Sequence, residues 1–482
     1  MRPSFVAALT LLSLPLSVLA AAGPPARQIQ STTVTANDYP IFETDKIPVT
    51  EFAARRERVK KMLGPNGWAI FFTNPERNRS NDTDFPFRGN SNFLYLTGFE
   101  EPNSALILAP RGIVVNGKTV SEVLFCDEPN PASITWLGYR MGSQRAPDLL
   151  KIEAALPCAK FSEILEVGKK SPGAQLWTPE LPDGPTDQLQ KMISSYTASI
   201  GLAPTKAGIG NELAKLRVIK SPQELRLMRK AAVVSALAHI EALRSAKAGM
   251  REFEIKALVE YVFARNGCEA PAYGSIVGSG PNSCILHYEE DRRLMNKGDM
   301  VCMDVAGEFH GYAADVTRSY PIGGHYNSEQ RAIYQLVLDA QNAGIKACRA
   351  GAPFRAAHTA ASNVLLLGMK KLGLIKQDKE LARYFMHGVS HYVGLDVHDA
   401  HGSATLAAGM VLTVEPGIYI REGAPCDKKW WNIGIRIEDD ILVTDKDPEI
   451  LSAGAPREIE DIERAMAGRG LGNLAIKPWH SN

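Results

Sequence analysis

Apolar residues recur at helical spacing through the run EFAARRERVKKML that follows Val49 and Thr50, with Arg, Glu and Lys between them, and predict an amphipathic helix. The pattern then shortens. Trp68–Thr73, Asn92–Phe99 and Ser104–Ala109 are compact runs rich in apolar and aromatic residues and are expected as strands. Gly112–Val115 and Val120–Cys126 flank Asn116-Gly117, the residue pair of a tight hairpin. Another helix is expected near Asp148–Leu156, and the Gly- and Pro-punctuated stretch from Gly201 to Gly210 closes a mixed α/β domain.

A second domain opens at Ser221-Pro222-Gln223-Glu224, where Ser can cap, Pro suits the first helical position and Glu completes a capping box. Its helix should run to about Lys247, and others are expected over Arg251–Asn266, Ser328–Ala350 and Phe354–Leu372. Strands are expected over Val301–Ala306, Tyr312–Tyr320, His387–His398, Met410–Ile420 and Ile433–Thr444. The fold class is therefore α/β in the α+β sense, in two domains.

The chemistry concentrates in VCMDVAGEFHGYAADVTRSYPI, Val301 to Ile322. With a turn centred on Phe309-His310, Asp304 and Asp315 would face each other about 5 Å apart on one side of a hairpin. Two carboxylates so placed on apolar strands repel unless a proton or a cation lies between them. Three later segments carry matching groups. YFMHGVSHYVGLDVHD holds His387, His391 and His398, TVEPGIYI places Glu415 before Pro416, and IRIEDD puts Glu438 on the same side as Arg436. His387 and His391 have the spacing of the helical zinc-protease pair, but Gly388 stands where that motif needs Glu. Singly, each of these residues is more often structural than a ligand. Together, four carboxylates and one imidazole are mostly hard donors that favour Mn²⁺, Mg²⁺ or Co²⁺, with capacity for two ions.

Composition narrows the alternatives. The 482 residues are 45% hydrophobic and 22% charged, as in an ordinary globular protein. Lys plus Arg (54) nearly cancel Asp plus Glu (53), so no field or basic run favours nucleic acid. Arg2, the apolar run Phe5 to Leu19 and the small residues through Ala22 are expected to be a secretory signal peptide, and hence a secreted or periplasmic protein. Residues 23–48 read as an extended lead-in. The seven cysteines show no CxxC spacing and read mainly as buried thiols. Asn78-Arg79-Ser80 and Asn81-Asp82-Thr83 match glycosylation acceptors, relevant only in a eukaryotic secretory route.

The segments ILHYEED, VCMDVAGEFHGYAADVTRSYP, MHGVSHYVGLDVHD, LTVEPGIYI and IRIEDDILVT, in this order, resemble the pita-bread-fold metallopeptidases, most closely the Xaa-Pro aminopeptidases (aminopeptidase P). DTDFPFRGNSNFLYLTGFEEP (Asp82–Pro102) and ITWLGYRMG (Ile134–Gly142) are similar to that family's N-terminal domain. The resemblance implies an aminopeptidase P N-terminal domain over 49–213, a pita-bread catalytic domain over 214–465 and a tail over 466–482. It implies two divalent metal ions, foremost Mn²⁺ with Co²⁺ or Zn²⁺ as alternatives. Asp304 would chelate one ion, Asp315 and Glu438 would bridge both, and His391 and Glu415 would hold the second. His387 and His398 would contact the reacting amide with Glu415, and His287, Tyr419 and Arg436 would line the substrate site. The implied activity is release of the N-terminal residue from peptides with proline second, by attack of a water-derived nucleophile between the ions. A prolidase acting on Xaa-Pro dipeptides is the alternative, and a non-catalytic binding protein on the same fold a more distant one. A homodimer or homotetramer is implied as well, for which the Phe85–Tyr95 segment is apolar enough to join an interface.

Overall fold

The structure, a computed structural model, describes residues 43–181, 187–198 and 204–474. The expected signal peptide, most of the expected lead-in and the end of the tail lie outside those residues.

In the first domain, helix Val49–Leu63 lies beside a six-stranded mixed sheet. The strand order is Ala154–Pro157, Lys118–Cys126, Ala105–Val115, Gly67–Phe72, Gln175–Thr178, Pro204–Gly208. Gly67–Phe72 is buried at every position, as an unbroken apolar run in a central strand should be. Ile70, Phe72, Ile107, Phe125, Phe161 and Tyr196 form the heart of its core. The hairpin turns at Asn116-Gly117, where φ values of 49° and 76° make the left-handed pair that matches strand twist.

Three expectations for this domain fail. Asn92–Phe99 is no strand: Ser91–Thr97 is a helix whose Asn90 side chain accepts from the amides of Asn92 and Phe93. Gly98, at φ 64°, ends it with its N–H donating back to the Leu94 carbonyl. The helix is buried along Asn92–Thr97, so its sequence shows no amphipathic period. The helix expected near Asp148–Leu156 instead spans Gly142–Leu150 and gives way to strand Ala154–Pro157. Of the Phe85–Tyr95 segment, Phe93, Leu94 and Tyr95 pack inside the chain, which leaves Phe85 as its exposed ring.

The second domain surrounds small antiparallel sheets with helices Pro222–Ser245, Glu252–Arg265, Ser328–Ala347 and Ala356–Lys371. The Ser221–Glu224 capping box forms as expected. Strand Met300–Asp304 lies between Ile276–Ser279 and Thr317–Pro321. The aspartate hairpin turns one residue later than expected, at His310-Gly311, because both take positive φ (49° and 79°) and Phe309 pairs with Tyr312. Asp304 therefore faces Thr317, and Asp315 lies on the diagonal, still on the same face.

The remaining expected strands are broken, and the breaks fall at the predicted ligands. Met410–Ile420 is two strands, Val411–Val414 and Gly417–Ile420, parted at Glu415-Pro416. Ile433–Thr444 is Ile433–Arg436 and Asp439–Leu442, parted at Ile437-Glu438. His387–His398 is not a regular strand. It makes a single β-bridge, Tyr392 to Leu412, with flanking bonds from Thr413 to His391 and from Glu415 to Val389. Among the described residues, no helix is long and apolar enough to cross a membrane.

Candidate metal centre

A residue at a strand break has left the ladder, so its side chain is free of pleat alternation and can turn toward a common point. Asp304 ends its strand, and Asp315 lies between Tyr312–Ala313 and Thr317–Pro321 with its amide donating to Asp440 Oδ2 at 3.0 Å. The Glu438 amide bonds the Thr317 carbonyl, and the Thr317 hydroxyl donates to Glu438 Oε2. Pro416 frees Glu415 from continuing the ladder. His391 reaches in from the bridged segment. Its Nδ1 faces the Tyr392 carbonyl at 3.2 Å, which assigns a proton there and turns Nε2 toward the carboxylates as the nitrogen that gives up its proton to a cation. Nε2 lies 3.3 Å from Asp315 Oδ2 and 3.7 Å from Glu415 Oε1.

One donor atom from each of Asp315, His391 and Glu438 lies within 4.8 Å of the other two. A cavity of about 310 Å³ is lined by these residues with His287, Asp304, His387, His398, Glu415 and Arg436. Tyr419 stands behind the wall, fully buried, its hydroxyl 2.9 Å from both His387 Nε2 and an Arg436 guanidinium nitrogen. Arg436 also donates to Asp304 Oδ2 at 2.7 Å and to the Thr317 hydroxyl at 3.1 Å. Every residue predicted from sequence thus lines the cavity or, for Tyr419, supports it.

Sequence reasoning missed three supporting groups. Tyr273 donates its hydroxyl to Asp304 Oδ1 from a loop that carries no motif. Thr317 and Asp440 were findable, since each lies two residues from a predicted ligand in a run expected as a strand. Cys302 and Cys284 are buried thiols, and burial pushes Cys284 up to about 12, so both pack rather than react.

The electrostatics test whether cations fit. Burial, then the charge of Asp304, raises the Asp315 carboxyl. Burial pushes Glu415 up to about 8 despite nearby His391, and burial with Asp315 and Glu415 holds Glu438 well above the carboxylate range. Burial opposes charge on His391, but Asp315 wins and lifts it to about 9. Burial and Arg436 push His387 down to about 4, leaving it neutral with Nδ1 donating to the Gly388 carbonyl. Without cations these carboxyls keep protons that ordinary ones have lost. A hard-oxygen donor set with one available imidazole nitrogen resolves that cost by binding divalent ions. The residues fit such a centre.

Comparison with known proteins agrees. Residues 226–445 match the family model for metallopeptidase family M24, and residues 52–177 that for the aminopeptidase P N-terminal domain. The Xaa-Pro aminopeptidase of Haemophilus influenzae is 37% identical over 433 residues, covering 87% of this chain and 98% of that protein. Aminopeptidase PepP of Pseudomonas aeruginosa superposes with a TM-score of 0.81 at 35% identity, over 88% of this chain and 99% of that one. Aminopeptidase P of Escherichia coli, solved with the inhibitor Pro-Leu, gives 0.80 at 33% identity over the same shares.

Proposed function

Because the chain belongs to metallopeptidase family M24 and carries the aminopeptidase P N-terminal domain, we propose that it releases the N-terminal residue from peptides whose second residue is proline. The family makes it a metal-dependent aminopeptidase, and the substrate rule is what the proposal adds. The observation that carries the proposal is the complete donor set, Asp304, Asp315, His391, Glu415 and Glu438, gathered at one cavity beside His287, His387 and His398.

Asp315 and Glu438 would each reach two ions, Asp304 the first, and His391 with Glu415 the second. The donor chemistry favours Mn²⁺, with Co²⁺ or Zn²⁺ as alternatives. Bound there, the ions supply Lewis acidity for the scissile carbonyl and lower the pKa of a water toward neutrality. Glu415, within 3.7 Å of both His391 and His387, is placed to take the proton of the attacking water and pass it to the leaving nitrogen. His398 lines the cavity and offers a ring N–H to the carbonyl oxygen as charge grows there. Arg436 and Tyr419 fix the neutral His387 through one hydrogen-bonded chain. Leu286 and the faces of the histidine rings provide apolar surface for a proline ring, whose nitrogen has no proton to read.

Product analysis tests the proposal. Arg-Pro-Pro should yield free Arg and Pro-Pro, whereas cleavage confined to the dipeptide Ala-Pro would make the chain a prolidase. We propose also that the mature chain works outside the cytoplasm, on the strength of the apolar run Phe5–Leu19. A mature N-terminus beyond residue 22 in a periplasmic or extracellular fraction checks this. The exposed Trp136 and Leu137 of the first domain support a homodimer or homotetramer, which light scattering would read.

A further inference from the structure

We propose that Ser91 and Arg88 of the first domain are positioning residues for His398, holding from the other domain the loop on which that imidazole rides. The inference rests on the peptidase reading only in giving His398 something to do.

Leu395–Asp399 lies outside the regular strands and helices. Its own backbone supplies little restraint, chiefly Gly394 N–H to Asp396 O and Asp399 N–H to Tyr392 O. Side chains from elsewhere hold it. The Ser91 hydroxyl donates to Asp396 Oδ1 at 2.6 Å, and Arg217 donates to Asp396 Oδ2 at 2.7 Å. Arg88 donates to the Leu395 carbonyl at 2.6 Å. The same guanidinium bonds the Gly311 carbonyl at 3.2 Å and both Glu308 oxygens at 3.1 Å, so it ties the loop to the turn of the aspartate hairpin. Asp399 is buried between Lys220, at 2.7 Å, and Arg217. Arg217 in turn bonds Asn92 Oδ1 at 2.8 Å, the neighbour of Ser91 on the capped helix.

His398 therefore sits between two aspartates, both tied down by groups outside the loop, and its ring lies 4.3 Å from that of His391. Asp396 is held from two sides, by Ser91 on one oxygen and Arg217 on the other. Removing the Ser91 hydroxyl takes away the donor that the first domain gives to Oδ1, and a side chain 47% exposed then turns to water instead, which frees the loop to shift. A shift of about 1 Å at a group acting on the reacting amide costs up to roughly a hundredfold in rate. Interdomain packing alone would not act through one histidine. This is the difference the test uses.

The test takes the metal-loaded mature protein and four variants: Ser91→Ala, Ser91→Thr, His398→Ala, and Ser91→Ala with His398→Ala. Ser91→Ala should lower kcat on Arg-Pro-Pro by about tenfold to a hundredfold, with KM and metal content per chain unchanged, and Ser91→Thr should restore it. In the His398→Ala background the serine substitution should cost nothing further. The same loss in both backgrounds, or a wild-type kcat in Ser91→Ala, would overturn the proposal. Crystal structures of wild type and Ser91→Ala decide it even if no Xaa-Pro peptide is cleaved. A displaced His398 ring supports positioning, and an unmoved ring contradicts it.

Discussion

Asp315 joins what the sequence and the structure each say about the site. Three of its neighbours, Asp304, Glu438 and Asp440, are carboxylates against the single imidazole of His391, and burial with Asp304 holds its own carboxyl raised. A group in that position costs the empty protein stability and gives it cation binding. Asp315→Asn should therefore cut activity by at least about 10³-fold, the size expected when several kcal/mol of Lewis-acid stabilisation go. Bound metal per chain should fall with it, while circular dichroism stays native. The variant's Tm without metal should stay close to that of the metal-free wild type, because relief from the Asp304 charge offsets the lost pairing with His391. Full activity with full metal content would remove the bridging role. The acidic and histidine lining of the cavity was legible in the sequence because carboxylates and histidine in apolar strand contexts are chemically out of place. Tyr273 was not, since a tyrosine near a strand needs no explanation until its hydroxyl is seen on Asp304.

At the scale of elements, the site depends on strands that stop in the right place. Ile433–Arg436 carries Arg436 and releases Glu438, and its approach is set by Gly434, where a Cβ would lie 2.0 Å from the Ser283 carbonyl oxygen. Gly434→Ala should destabilise the protein by about 3 kcal/mol, the upper range for overpacking against a neighbour that cannot yield. It should also weaken metal binding, because the displaced strand moves Arg436 away from Asp304. A Tm and metal affinity within error of wild type would show that the close approach carries no load. Runs of apolar residues revealed that strands pass here, but the breaks at Glu415-Pro416 and Ile437-Glu438 come from tertiary pairing that periodicity does not encode. The helix Ser91–Thr97 was misread for a related reason. Being buried along its length it has no polar face, and only the Asn90 cap and the Gly98 stop betray it. That short helix brings Ser91 to the loop of His398 and Asn92 to Arg217, which holds the same loop.

Across the whole molecule, protonation and metal loading are linked. In the metal-free chain Glu415, up to about 8, and His391, up to about 9, keep protons that ordinary groups release near 4.5 and 6.5. Their folded pKa values are raised, so the stability they contribute fades as pH climbs from the unfolded value to the folded one. His387, pushed down to about 4, works the other way but only below pH 6.5. Denaturant titrations of metal-free protein should thus show stability falling between about pH 6.5 and 9. Added metal should reverse the fall and release protons into a weak buffer. A flat metal-free profile would mean that these groups do not hold the protons assigned to them. The two-domain plan was legible from motif order, while the contacts that join the domains at Arg88, Ser91 and Arg217 link residues up to 307 positions apart and left no local signature.

That the buried carboxylates hold two divalent ions for peptide cleavage is the prediction on which the others depend. Its most direct test strips the mature protein of metal, assays Arg-Pro-Pro, and titrates Mn²⁺ back against chain concentration. No release of Arg should be seen at the start, and activity should rise to a plateau at two ions per chain. Arg released by the stripped protein at the loaded rate would contradict the account.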